Sequence, residues 1–494
     1  MISEFIREQK RYTRDDLKLI LSCSDTEVIR IIKKLKDYGI LKTVKNTNEQ
    51  LNMSDLANED VEVSNEDEFT VKYLYVFVFV GIIIVEGRVL KCYPKYLFKA
   101  KNPTEELKQV MKVLKKYNSK EQLIHMYNNS NGITIFNRLA IIIYLINDYF
   151  ENGVYTNTQD IVEINGMGEI YWDRTINNSY PIINDNCPYY VELQTKRRIN
   201  DETDFFKRLH ECILTSCSKE LRESDLLELL DMEGTDLSDE ILDDFGDDDY
   251  ILYRLEKEMN VQFNTRKQTI LKIMEALIVN KGSINELDSF TMLGTNKFNL
   301  VWEKVCAEVM DNQLHIPINA LGIDNIVIPK GVIYTNEDEL ISVIGKPKWQ
   351  GYAEDESEFE KQGKKTLTPD IISIYRYDQG TDFIIFDAKY YTIQLEVMKE
   401  LCGEPGVSDI TKQYLYQLAY KDFISVNKFS NIRNCFLMPT EEEGTNGVIK
   451  KGSVRMDMFA ALGLEKIQVR QLSAKRMFEY YLVDKKINIG ILNL

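Results

Sequence analysis

Residues 366–391 read TLTPDIISIYRYDQGTDFIIFDAKYY, and their pattern decides the architecture of the C-terminal part of the chain. Ile371–Tyr377 alternates in the manner of a strand. Asp378-Gln379-Gly380 supplies turn residues, and Phe383–Lys389 is a second strand, so the stretch is a hairpin. Asp370 stands at the start of the first strand. On the second, Asp387 and Lys389 are two residues apart and project from the same face. Three charges at one end of an apolar hairpin need compensation, because buried carboxylates are costly unless paired or bound to a cation.

Two carboxylates, Asp370 and Asp387, with the backbone carbonyl of Ala388, are the oxygen donors that Mg2+ prefers, and Mn2+ is an expected substitute. Such an ion activates water and screens charge on a phosphodiester. A lysine beside it orients or deprotonates that water. Pro-Asp followed by Asp-x-Lys fits a structural Asp–Lys pair at a strand end equally well, so the flanks matter. Upstream, Phe298–Cys306 is an amphipathic helix with Phe298, Val301, Trp302 and Val305 inward and Glu303 beside that stripe, a further candidate ligand for metal or water. Downstream, Asp409–Tyr420 is a helix on which Gln413 and Gln417 share one face. Lys412 and these two amides are candidates to position a nucleic-acid strand. Strands at Cys435–Pro439, Val454–Phe459 and Ile467–Gln471 and a helix at Ala474–Leu482 complete an α-β-β-β-α-β order, a mixed sheet with the hairpin at its centre and helices at its flanks.

The N-terminal 45 residues read as a helix-turn-helix unit of winged type. Asp15–Leu21 is a short helix, Ser24 caps a second at Asp25–Tyr38, Gly39 ends it, and Ile40–Lys45 begins a strand. Val28, Ile31, Ile32 and Leu35 make the buried face, with Arg30, Lys33, Lys34 and Lys36 largely off it. A basic second helix of this kind enters a major groove or docks a protein. Next comes a β-rich stretch at Phe69–Val85, turning near Gly87 into Val89–Tyr96. Helices are expected at Pro103–Tyr117, Ile133–Phe150, Asp204–Leu221 and Tyr253–Asn280. The glycine turn Asn165-Gly166-Met167-Gly168 runs into an aromatic strand at 169–173.

A chain of 494 residues, 44% apolar and 28% charged, is long enough for two to four domains and too apolar to be wholly disordered. Its net charge of −17 is unevenly spread. Residues 46–68 carry eight acids and 223–249 carry thirteen, with no Lys or Arg in either block. The remainder has a slight positive balance, so the overall charge does not exclude a DNA partner. Each block reads as solvated loop, as a docking surface, or as a shield over a basic face. Eight scattered cysteines without a CxxC pair and three histidines argue against a disulfide framework and a zinc finger. No apolar run reaches membrane-spanning length and no secretory leader is visible, so the expected location is cytoplasmic, with no membrane partner. No GxxxxGK[ST] occurs, and the chain is expected to bind no nucleotide.

Six segments together resemble the LlaJI family of restriction endonuclease subunits, relatives of the nuclease subunit McrC within the PD-(D/E)xK superfamily. They are LKCYPKY (90–96), NGMGEIYWDRTI (165–176), VWEKVC (301–306), TPDIIS (368–373), FIIFDAKYY (383–391) and KQYLYQLAY (412–420). The resemblance implies an α+β multidomain chain. Residues 1–45 would be winged-helix-like, with the wing completed after the insertion 46–68. Residues 69–200 would form a mixed β/α region docking DNA or a motor, and 201–284 a helical connector holding the acidic block 223–249. Residues 285–494 would be a PD-(D/E)xK nuclease domain. It further implies that Asp370, Asp387 and Lys389 are the catalytic core, with Glu303 as the helical acid and Gln413 as the glutamine of the following helix. Gln417 stands where such nucleases commonly have a tyrosine. The implied partners are double-stranded DNA, a McrB-like AAA+ GTPase on another chain, an associated DNA methyltransferase and a second copy for double-strand cleavage. The alternatives left open are a DNA-binding regulator that uses only the winged helix, and a scaffold docking partners through its acidic segments.

Overall fold

The computed structural model describes residues 2–45, 73–100, 102–119, 127–130, 133–200, 204–280 and 290–494. The acidic segment 46–68 lies outside them, as does the expected boundary near 285. The architecture is mixed α and β with several separate sheets. The chain divides into two compact units, one of residues 124–291 and one that joins 2–123 to 292–494.

In the joined unit, Arg14–Leu21 and Asp25–Asp37 are the two N-terminal helices. Ser24 caps the second, its hydroxyl accepting from the Glu27 amide while the Glu27 carboxylate returns to the Ser24 amide. The strand Leu41–Lys45 pairs antiparallel with Tyr73–Phe77, so the described strands on either side of residues 46–72 lie side by side. A second sheet runs in the order Ile2–Arg7, Arg88–Tyr93, Val80–Val85, Phe290–Thr295. Glycine is obligatory where its last two strands meet: a Cβ on Gly81, at φ +140°, would fall 2.2 Å from the Leu293 carbonyl oxygen. The helix Thr104–Ser119 buries Leu107, Val110, Met111 and Leu114 as its spacing requires.

The third sheet of this unit has five strands in the order Ile371–Tyr377, Gly380–Ala388, Asn431–Thr440, Ile467–Ser473, Val448–Val454. It is mixed: the outer pairs are antiparallel and the two central pairings parallel. The hairpin therefore occupies one side of the sheet, not its centre. The helix Val407–Val426 carries the chain from the second hairpin strand to Asn431–Thr440, which takes the middle. The strand expected at Val454–Phe459 lies earlier, at Val448–Val454. Its pairing with Ile467–Ser473 is offset by a bulge before Gly452, and residues 457–462 turn into a 3-10 helix. Ile371, Ile372, Phe383, Ile385 and Phe386 are fully buried. At roughly 1.5–3 kcal/mol each, they supply enough burial to carry several charged groups at the strand ends.

In the other unit, Arg138–Asn152 is a helix capped by Asn137, and Ile133–Phe136 is a strand paired with Tyr127–Ser130. The helix expected from Ile133 thus starts five residues late, where the cap side chain takes the Ala140 amide. The aromatic strand expected after Gly168 stops at Ile170, and Trp172–Asn178 is helical. Tyr253–Asn280 is two helices, Asp248–Val261 and Thr265–Val279, with Asn264 capping the second. The acidic residues 223–249 wrap against Phe205–Glu223 through buried Leu226, Leu229 and Phe245, and Asp247 caps the next helix. No helix among the described residues is long and apolar enough to cross a membrane.

Candidate active site

The hairpin register brings Asp370 and Asp387 together. Ile371 pairs with Phe386 and Tyr377 with Gly380, so Asp370 lies opposite Asp387 one step beyond the ladder. The Asp370 carboxylate accepts from the Ala388 amide at 3.0 Å. Its backbone is clamped by Asn312, which donates to the Asp370 carbonyl at 3.0 Å and accepts from the Ile372 amide at 3.1 Å. The Tyr416 hydroxyl holds the approach to the strand by donating to the Thr368 carbonyl at 2.9 Å.

Lys389 leaves the second strand on the same face as Asp387. Its Nζ lies 3.0 Å from Asp387 Oδ2 and 3.1 Å from Asp409 Oδ1. Asp409 stands in the first turn of Val407–Val426. From sequence alone it is only the start of a helix. Its signal was its spacing four residues before Gln413, which puts both on one face. Gln413 is fully buried, and among the described residues neither atom of its amide has a hydrogen-bond partner. Gln417, one turn further, accepts from Asn434 at 2.8 Å and is 6% exposed, so it packs on the sheet, whereas the sequence pattern expects it at a nucleic-acid strand. Lys412 is exposed, on a different face from the two glutamines.

The helix Phe298–Val309 buries Phe298, Val301, Trp302 and Val305 as expected. Trp302 Nε1 donates to the Leu437 carbonyl at 3.2 Å, and the Lys389 amide donates to the same oxygen at 2.9 Å. One peptide oxygen thus anchors both the helix and the hairpin end. Glu303 and Asp370 line a common cleft of about 410 Å³ with Lys304, Tyr117 and Tyr481.

The charges at this strand end are unbalanced. Burial, the hydrogen bond with Asp370 and the charge of Asp370 together hold the Asp387 carboxyl well above the usual carboxylate range, and Lys389 offsets them only in part. Burial pulls Lys389 down, but Asp387 and Asp409 outweigh it and hold the ammonium above its ordinary value. Glu303 is raised by burial, with Lys389 acting against it. Burial, followed by the charges of Asp387 and Asp370, pushes Tyr416 up to about 12. Excess negative charge in a partly closed site suits a cation. Among the described residues no three His, Cys, Asp or Glu side chains form a metal cage.

The basic helix is arranged differently. Arg30 reaches Glu86 with two hydrogen bonds, at 2.8 and 2.7 Å, and Lys34 Nζ lies 3.0 Å from the same carboxylate. Glu86 sits in the turn after Val80–Val85 with its side chain fully buried. Burial raises its pKa, but the hydrogen bonds from Arg30 and Lys34 prevail and leave it below the ordinary value. Two of the four cations expected to face DNA therefore pair with an internal carboxylate, Arg30 with its side chain still half exposed. Lys33 is exposed and Lys36 half-buried.

The model of the LlaJI restriction endonuclease family matches residues 79–325 and 327–475. The type II restriction enzyme BsuMI component YdjA of Bacillus subtilis (strain 168) is 27% identical over 419 residues, covering 83% of this chain and 81% of that protein. Among solved structures, the chain is similar to a refined half-complex from a tetradecameric assembly of Thermococcus gammatolerans McrB AAA+ hexamers with bound McrC. That match has a TM-score of 0.36 and 12% identity and covers 98% of this chain and 99% of the other. A cryo-EM structure of the Thermococcus gammatolerans McrBC complex matches at a TM-score of 0.24 and 12% identity, over 61% of this chain and 85% of the other.

Proposed function

We propose, from the premise that the chain belongs to the LlaJI restriction endonuclease family, that it is a Mg2+-dependent DNA endonuclease subunit of the PD-(D/E)xK type. The observation that carries this is the opposition of Asp370 and Asp387 with Lys389 on the same face. Two carboxylates and a backbone carbonyl suffice for Mg2+, which binds few protein ligands and keeps several waters, so the lack of a three-side-chain cage is compatible with this ion. The negative excess around Asp387 fits the same assignment, as does the amide of Gln413, which has no hydrogen-bond partner among the described residues.

In this reading Asp370, Asp387 and the Ala388 carbonyl would hold the ion, and Mn2+ would substitute for it. A bound ion would lower the pKa of a water and offset charge on the phosphodiester. Lys389, steadied by Asp409, orients the attacking water and faces the charge that develops on the phosphate. Glu303 acts from the shared cleft through water, Gln413 from the helix face that carries Asp409, and exposed Lys412 meets the DNA backbone. With no phosphate-binding loop in the sequence, a McrB-like AAA+ GTPase on another chain would supply the motor. A docking role for the 158–200 region is supported by its exposed Met167, Trp172, Tyr180, Ile183 and Val191. A methyltransferase would protect host DNA, and two copies would cut both strands.

The test is cleavage of double-stranded DNA by the full chain with its motor partner and Mg2+. Asp387→Ala is expected to abolish cleavage while circular dichroism and DNA binding persist. Cleavage by purified Asp387→Ala at the wild-type rate would remove the assignment.

A further inference from the structure

Directly after Lys389, the chain enters a polar cluster that the proposed chemistry does not use. The Tyr390 hydroxyl donates to Glu8 Oε2 at 2.6 Å. The Lys95 amide donates to the same carboxylate oxygen at 3.2 Å and lies 3.3 Å from the Tyr390 hydroxyl. The Lys95 ammonium donates to Gln9 Oε1 at 3.1 Å and sits 4.4 Å from the centre of the Tyr390 ring. Phe298, the first residue of the helix that carries Glu303, packs on that ring at 5.3 Å, and Tyr96 meets its edge at 6.3 Å. Glu8 and Lys95 are each about 5% exposed.

Burying a carboxylate and an ammonium costs several kcal/mol per ion even after relaxation. A phenylalanine at 390 would fill the same space without needing either. The cluster therefore contributes something other than packing: it fixes the direction in which the chain leaves the hairpin. Glu8 is held in turn by its own amide, which donates to the Tyr93 carbonyl at 2.9 Å. The LKCYPKY segment, read from sequence without a role, supplies both Lys95 and Tyr96 to this cluster.

We propose that Glu8 and Lys95 are positioning residues acting through Tyr390 on the Ala388–Lys389 peptide. They set where the Ala388 carbonyl and the Lys389 side chain emerge. The inference rests on the nuclease reading for its functional consequence, while its structural part stands apart from it. An N-terminal segment some 380 residues away in sequence thereby controls the geometry of the catalytic strand end.

Tyr390→Phe, Glu8→Gln and Lys95→Met in the full chain test this. Hydrogen exchange of amides 388–391 is expected to quicken about 10-fold or more in Tyr390→Phe, with exchange elsewhere in the sheet unchanged. The Mg2+ concentration giving half-maximal thermal stabilisation, read with the ion alone, should rise about 10- to 100-fold. With partner and DNA, kcat should fall and the KM for DNA stay constant, and Glu8→Gln/Tyr390→Phe should be no worse than its worse single variant. Unchanged exchange at 388–391 in folded Tyr390→Phe would overturn the proposal. So would losses of activity that only track the unfolded fraction. If the wild-type chain with its partner never cuts DNA, the nuclease reading fails instead, and the exchange measurement still decides the positioning role.

Discussion

At Glu86 one buried carboxylate meets two cations, Arg30 and Lys34, whereas at Lys389 one ammonium meets two carboxylates, Asp387 and Asp409, and Asp387 also faces Asp370. The two groups lie in the same compact unit, and each combines carboxylates with cations. At Glu86 the carboxyl settles below its ordinary pKa, and at Asp387 it is driven well above it. A satisfied cluster holds structure and leaves nothing over for a ligand. A cluster with surplus negative charge is costly until a cation arrives. Local charge balance, more than the number of charges, separates the candidate site from an internal brace.

The strongest way to break this contrast is to remove a cation from each cluster. Lys389→Ala is expected to slow single-turnover DNA cleavage by about 10²–10⁴-fold, while Arg30→Ala leaves the rate within about 3-fold of wild type because its charge already serves Glu86. Equal losses from both would erase the distinction. A smaller effect is expected from Asp409→Asn, which keeps the shape of the side chain and its Oδ1 acceptor but removes the charge that helps to hold Lys389. Its kcat should fall about 10- to 100-fold without loss of DNA binding, and a wild-type kcat would make Asp409 a bystander. The smallest effect concerns stability, and there the two clusters should differ in sign. Glu86→Gln should lower the free energy of unfolding in urea by about 1–3 kcal/mol, since it weakens charge-assisted hydrogen bonds to a buried group. Asp387→Asn should leave it unchanged or raise it, because it relieves two opposed carboxyls. A loss at Asp387 as large as that at Glu86 would show that both are braces.

The hairpin and the meeting of its charged residues at one end were legible in sequence because they depend on local rules. A period of two puts Asp387 and Lys389 on one face, and a tight turn forces Asp370 opposite Asp387. The amphipathic helix carrying Glu303 and the Ser24 cap were equally local. Part of what escaped depends on distance along the chain. Glu86 lies 56 residues from Arg30, and no periodicity announces that a turn residue will claim two charges of a helix. Asp409 meets Lys389 only because of where the crossover helix starts relative to the strand it follows. The apolar run from Ile133 hid its break because Asn137 resembles any other polar residue until it caps a helix. The same holds for Asn264 in the long stretch after Tyr253. Val454–Phe459 has strand-like composition, but the pairing preferred by Ile467–Ser473 lies one segment earlier.

The Leu437 carbonyl receives both the Trp302 indole and the Lys389 amide. Because that acceptor belongs to the main chain, replacing the side chain at 437 leaves it in place. Leu437 is fully buried, so an exchange for an apolar residue of similar volume would leave both tethered elements with a common origin. Mutational tolerance at residue 437 would then be a poor guide to its importance.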